Sequence, residues 1–325
     1  MTLPSPPPFT VDYQAYYFTQ GVIQRIGSLR FSANDLAHAL FTTGRAPGNQ
    51  ATYGRASFWE FMHRASLIPA YIRRTPDGRL VRSKLARELD RSEKVGVSYA
   101  LGQAATGIFC RQLLSIPFLM HIDRYGDRYD LAYAVTRKRA DLFGCTVSRD
   151  WVVAEAKGRS NSMEYELRGK LVEQKRSVVS IAGQLPALAL GCVASFPPDA
   201  SVMRVDAFDP EPEGLEPFSI NADLDRYMLA YYEPFIVAID AGEGDEAAES
   251  PSPIRSTYIP AVGIRIGLFG AIEQRVRRAI LGELAGLADE ILSILPSLEG
   301  AAPFPDGSLV EVDWEAALTV RDWQF

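Results

Sequence analysis

The sequence predicts an α/β protein with a mixed central sheet flanked by helices, a helical N-terminal region and an α-rich C-terminal extension. Three observations carry this expectation. Between residues 92 and 196, apolar runs of strand length and helical patterns follow the order helix, three strands, helix, strand. The first three strands have short connections and the last two are joined through a helix, so the sheet mixes antiparallel and parallel neighbours. Of the 325 residues, 47% are hydrophobic and 23% charged, which is enough apolar material for a real core. The length suits two domains or one with a large extension, and we divide the chain into residues 1–91, 92–200 and 201–325.

Residues 1–91 read as mainly helical. The first ten are proline-rich and predict a loose start. Ser32 and Asp35 mark a helix start before Leu36, Ala37, Ala39 and Leu40. A second helix over residues 56–66 carries Trp59, Phe61 and Met62, and Thr75-Pro76-Asp77-Gly78 is a turn signal. Residues 92–114 predict a buried helix opened by Ser92, and residues 118–122 a strand. Asp127 and its neighbours predict a turn, residues 139–147 a second strand, and residues 148–150 a tight polar turn. Residues 151–156 predict a third strand buried on both faces. Residues 158–162 break the pattern, residues 163–183 predict a helix, and residues 187–196 a buried fourth strand. Residues 203–208 read as another strand and residues 221–239 as an aromatic-rich helix. The acidic stretch 241–256 predicts a mobile loop. Leu268, Ile272, Val276, Ile280, Leu284, Leu287 and Ile291 then recur at the spacing of one long amphipathic helix, either packed core or a homodimer interface. Arg275, Arg277 and Arg278 lie off that stripe and predict a solvated face.

Several classes are excluded. No run of 18 uncharged apolar residues occurs, which argues against a membrane span. Residues 1–8 lack the basic and apolar segments of a secretory signal. Three cysteines and three histidines have neither disulfide nor zinc spacing, so the expected compartment is the reducing cytoplasm. No phosphate-binding loop, dinucleotide fingerprint or hydrolase elbow is present. The net charge of -6 conceals an asymmetry. Residues 1–160 hold 22 Lys and Arg against 13 Asp and Glu, and residues 161–325 hold 12 against 27. A basic half can present a face to a polyanion.

The sharpest feature is Asp141, followed fourteen residues later by Glu155-Ala156-Lys157. On a strand, Glu155 and Lys157 share one face. Val152, Val153 and Ala154 bury that strand, and charges at its end are costly unless paired or bound to a metal. Counting across the turn at 148–150 places Asp141 opposite the region of Lys157. Two carboxylates and an ammonium suit Mg²⁺-dependent phosphodiester hydrolysis, because Mg²⁺ takes hard oxygen ligands, including one or two carboxylates. The backbone carbonyl of Ala156 is a further candidate ligand, and Lys157 is placed to orient water or stabilise charge on phosphorus. Lysine is scarce here, six against 28 arginines, so its presence at this position is informative. Glu173-Gln174-Lys175 has the same spelling, but it lies in a helical pattern, where positions two apart face different ways.

Asp141…Glu155-Ala156-Lys157 within a helix–three strands–helix–strand core resembles the PD-(D/E)xK nuclease superfamily, which includes restriction endonucleases, RecB-type nuclease domains and archaeal Holliday junction resolvases. The resemblance covers about residues 92–196, with Ala140 where the family's proline stands. It implies a restriction-endonuclease-like core and metal-dependent cleavage of DNA, less often RNA. Asp141 and Glu155 would be metal ligands and Lys157 the catalytic cation, with Mg²⁺ as cofactor and Mn²⁺ as substitute. At most it implies bacterial defence against phage or foreign DNA, as a homodimer or with partner proteins. Some branches carry a glutamine reaching the site from the next helix. Gln174, between Leu171 and Val178 on the apolar stripe, is similarly placed; the alternative is a buried amide serving strand-end backbone groups.

Weaker signals surround the motif. Arg159, Ser160 and Asn161 read as turn residues able to meet phosphate. Arg137, Lys138 and Arg139 either guide a polyanion or form a solvated loop. Gln103 stands where some relatives carry an extra acid and reads as structural, as do His121 and the Tyr227, Tyr231, Tyr232 and Phe235 cluster. Two rival functions remain: a non-enzymatic nucleic-acid-binding or scaffold subunit on the same fold, and an RNA-directed nuclease.

Overall fold

The computed structural model describes residues 7–19, 21–43, 56–122, 131–132, 140–160, 178–197, 201–209, 218–242, 253–298, 300 and 302–319. Phe9, Val11, Tyr13 and Ala15 alternate with more exposed residues and form strand β1 (Phe9–Tyr16), which pairs antiparallel with β2 (Ile26–Phe31). Ser32 caps helix α1 (Ala33–Thr42) through a reciprocal pair with Asp35, as the sequence predicts. Helix α2 (Ala56–Tyr71) leads into the hairpin β3 (Ile72–Arg74) and β4 (Leu80–Arg82), turned at residues 75–78. After α3 (Lys84–Glu88) comes the long buried helix α4 (Arg91–Leu114), capped by Asp90 with Glu93 and not by Ser92.

The strands that follow are β5 (Phe118–His121), β6 (Leu131–Ala132), β7 (Leu142–Cys145), β8 (Trp151–Arg159), β9 (Val178–Ile181), β10 (Leu188–Ser195), β11 (Arg204–Phe208) and β12 (Phe218–Ile220). Helix α5 (Leu224–Ala241) precedes the hairpin β13 (Ile254–Ile259) and β14 (Ile264–Phe269). Helices α6 (Gly270–Ile280) and α7 (Leu287–Ile294), strand β15 (Ser308–Val312) and α8 (Glu315–Leu318) complete the described chain.

Seven strands make the central sheet in the order β2-β1-β11-β10-β8-β7-β5. The β8–β10 and β1–β11 pairs are parallel and the others antiparallel, so the sheet is mixed, as predicted. Helix α4 covers one face. On the other, α5 lies over β5, β7 and β8, with the Tyr227 ring 5.1 Å from Phe143 and 5.3 Å from Trp151. Cys110, Cys145 and Cys192 are free and buried. Among the described residues no helix is long and apolar enough to cross a membrane.

Several expectations are corrected. Phe9 and Thr10 belong to a strand, and the N-terminal region gives two strands to the central sheet besides its helices. The proline-rich start masked the alternation that follows it. Strand β8 continues through Gly158 and Arg159. Within the predicted helix 163–183, Val178–Ile181 is a strand, consistent with its β-branched residues. Residues 161–177, with Gln174 and Asn161, lie outside the described residues, as do Asp127 and Arg137 to Arg139. Both ends of the predicted acidic loop 241–256 are regular structure, since α5 runs to Ala241 and β13 begins at Ile254, and residues 243–252 lie outside the described residues.

The long C-terminal helix is three elements. Leu268 lies in β14, and α6 and α7 are separated by residues 281–286, where Gly282 and Gly286 adopt positive φ. Leu268, Ile272, Val276, Leu287 and Ile291 are all buried within the chain, so the stripe is core and not a free face. Helical spacing persists because a strand end and two helices point into one core. Arg275 is buried, not solvated, and donates to the carbonyls of Glu283 (2.8 Å) and Ala285 (2.9 Å), closing the break.

A buried polar cluster joins distant segments. Arg111 donates to His38 Nδ1 (2.7 Å), so the His38 Nε2–H donates to Asp306 Oδ2 (2.9 Å) and the imidazole is neutral. Asp306 also accepts from Tyr231 Oη (2.6 Å) and from the Ser308 N–H and hydroxyl (3.0 and 2.7 Å). Burial depresses the His38 pKa although Asp306 opposes it. Burial acts against the Asp306 charge, yet His38, Tyr231 and Ser308 hold that carboxylate well below its ordinary range. Both groups are depressed, so their stabilisation is complete above the ordinary values and is lost as pH falls. His38 is expected to pull the urea midpoint down on acidification through the ordinary histidine value of 6.5. His38→Gln is expected to flatten this part of the profile; an unchanged slope would exclude His38 as its source.

Candidate functional site

The site is built where β7 begins and β8 ends. The side of Gly158 faces α4, where an added Cβ would fall 1.5 Å from the Ser98 carbonyl oxygen. By alternation, Ala154 and Ala156 face the same way, while Trp151, Val153, Glu155 and Lys157 face the α5 side. Gly102 of α4 completes the close approach, since a Cβ there would lie 2.5 Å from the Gly158 nitrogen. Helix and strand therefore meet backbone to backbone directly behind the charged residues.

Leu142 pairs with Ala154, which sets Asp141 opposite Glu155 and not, as predicted, opposite Lys157. The correction tightens the cluster. The Asp141 N–H donates to Glu155 Oε2 (3.0 Å), and the Ala156 N–H donates to Asp141 Oδ2 (3.2 Å). The Lys157 ammonium pairs with Glu155 Oε1 and lies 3.6 Å from Asp141 Oδ2. Asp141, Glu155 and Lys157 are thus brought together, as the sequence predicts. Glu155 is fully buried, whereas the Asp141 and Lys157 side chains are 21% and 29% exposed, so the cluster is reached from their side.

The electrostatics follow from this arrangement. Burial and the neighbouring Asp141 charge push Glu155 up to about 7, against the pull of Lys157. Burial acts to lower the Lys157 pKa, but Glu155 and Asp141 outweigh it and raise the value, so the ammonium keeps its proton at neutral pH. Two carboxylates against one ammonium leave the cluster one positive charge short when both acids are ionised.

The donor set fits a divalent cation. Among the described residues no group of three or more His, Cys, Asp or Glu gathers to hold a metal, so the side chains that could hold one here are two carboxylates. Mg²⁺ is suited to such a set because it keeps several waters. Glu155 Oε1 is buried and taken by the Lys157 ammonium, so an ion reaching it would share that oxygen with Lys157. The Ala156 N–H points to the β7 side, and a strand residue's carbonyl points the same way, toward the Asp141 corner.

Gln103 lies on α4, behind the sheet. It is buried, donates to Tyr99 Oη (2.7 Å) and accepts from Arg64 (3.3 Å), and Tyr99 Oη meets His121 Nε2 at 3.1 Å. Gln103 and His121 are structural, as read. Tyr227, Tyr231, Tyr232 and Phe235 are core. The two main-chain N–H groups that lock the carboxylates, and the paired glycines behind them, escaped the sequence reading. Their only signal was Gly102 and Gly158, small residues at a buried helix–strand crossing.

No protein-family model, curated protein or solved structure matches the chain.

Gly158→Ala is expected to destabilise the protein by about 1–3 kcal/mol, the usual cost of overpacking a tight interior, measured by urea unfolding. Wild-type stability in this variant would mean that α4 and β8 are not in backbone contact.

Proposed function

We propose that the chain is a Mg²⁺-dependent nuclease that hydrolyses phosphodiester bonds, with DNA as substrate. The observation that carries this reading is the convergence of Asp141, Glu155 and Lys157 on one accessible corner of the sheet, with the Ala156 carbonyl aimed at it. Asp141, Glu155 and that carbonyl would hold the ion. When bound, it supplies Lewis-acid polarisation of the phosphate and a more acidic water. Lys157 holds its proton at Nζ, orients the attacking water and offsets charge on the phosphoryl oxygens in the transition state. The buried Glu155 fixes Lys157 in place.

One observation favours a second reading. Each carboxylate already meets a donor within the cluster, and the Lys157 pair partly balances the charge. A self-contained salt bridge of this kind would serve a binding or scaffold subunit. Mg²⁺ separates the two, because an ion that binds only the folded state raises stability by mass action. The nuclease reading expects a rise in Tm with Mg²⁺ that Asp141→Ala abolishes. Absence of a rise in the wild type favours the scaffold.

Plasmid, linear and single-stranded DNA, and RNA, are the substrates for a cleavage assay with Mg²⁺, Mn²⁺ or EDTA. Metal-dependent cutting of DNA is expected, reduced in Lys157→Ala and Glu155→Ala by a factor on the order of 10²–10³, the scale of losing a charge-stabilising group. Cutting that survives both substitutions would place the chemistry elsewhere, and cutting of RNA alone would make the enzyme RNA-directed.

A further inference from the structure

The face of the sheet that carries Glu155 and Lys157 continues beyond the cover of α5. In register, Lys157 pairs with Val193 and Arg159 with Ser195; Val193 pairs with Asp206 and Ser195 with Arg204; Arg204 and Asp206 pair with Asp12 and Gln14. Paired residues share a face, so these side chains lie on the side of Lys157. The outer part of this face forms a groove of about 630 Å³ lined by Asp12, Gln14, Ser28, Ser195, Arg204 and Asp206, and Val193, between the groove and Lys157, is fully buried.

Two arginines flank the end of β10. Arg159 and Arg204 stand on either side of Ser195 on its two neighbouring strands, which places their Cα atoms about 10 Å apart at the usual strand spacing. Neither forms a salt bridge with a carboxylate among the described residues, although the charge of Arg204 acts on Asp12. Asp12 shares the groove but is already paired with Arg79 at 2.7 Å and accepts from Ser28 at 2.8 Å. Asp206 accepts from Tyr16 Oη at 3.3 Å and lies diagonally across from Arg159. Two arginines on one face that form no salt bridge among the described residues are placed to meet a polyanion.

We infer that this end of the sheet binds the phosphate backbone of DNA, with Arg159 and Arg204 holding phosphates on either side of Ser195. That the bound DNA is a substrate rests on the nuclease reading, but the binding does not. Arg159, read from the sequence as a turn residue, gains this role because β8 runs two residues past the motif and turns its side chain to the face of Lys157.

The test is fluorescence anisotropy with a short fluorescein-labelled DNA duplex in EDTA, over a range of salt. Wild type, Arg159→Gln, Arg204→Gln and the double variant are compared with Arg278→Gln, an exposed arginine on α6, and each variant's Tm is checked. Weaker binding is expected in both single variants and more so in the double. The slope of log K against log salt should become shallower by about 0.9 for each phosphate that is no longer neutralised, and Arg278→Gln should bind as wild type. Wild-type affinity and slope in the double variant, or no binding by the wild type, would overturn the inference. Binding that depends on both arginines in a protein that never cuts would sink the nuclease reading alone. Cutting that needs Glu155 but ignores both arginines would sink this inference alone.

Discussion

The Glu155 carboxylate is sealed inside the protein, and a buried charge is tolerated only where partners replace its water. The surroundings supply them one by one. The antiparallel register brings the Asp141 N–H to one oxygen, and strand alternation brings Lys157 to the other. The two glycines let α4 press against β8, so the strand has no slack with which to swing the carboxylate into solvent. Each of these features is ordinary alone; together they keep a carboxylate near 7 beside a lysine that holds its proton.

Strong local signals were legible in the sequence. The buried run at 151–154, the turn at 148–150 and the spacing from Asp141 to Lys157 were enough to place the three charged residues on one face. The capping pair at Ser32 and Asp35 fixed α1. What failed depended on partners distant in sequence. Strand β1 acquires its meaning from β11, and short apolar segments with no such information read as loops. The register at Asp141 was misjudged by counting alone, since the geometry of the tight turn decides it. At the C-terminus, one helical period spans three elements because most of its apolar residues point into the same core, Ile280 being exposed. Glycine was the available warning at 282 and 286, and it was outweighed by the stripe.

The charge asymmetry of the sequence does not become a simple division of the surface. Many arginines of the basic half are consumed internally: Arg111 is tied to His38 and Asp35, Arg74 to Glu315, and Arg79 to Asp12. Arg159 and Arg204 at the end of β10 form no salt bridge among the described residues, and Arg204 comes from the acidic half. The unbalanced cations are placed by sheet topology and could not be found by summing charge along the chain.

Strand β1 sits between β2 and β11, and its Tyr16 meets Asp206, a residue 190 positions later. His38 waits still longer for Asp306, 268 positions away. During synthesis the first strand therefore leaves the ribosome with only a hairpin partner, and its other edge stays bare until β11 arrives. Closing so large a loop is slow compared with forming local structure. For that interval the nascent chain carries an open strand edge, the kind of surface that other chains pair with, until a segment 190 positions later covers it.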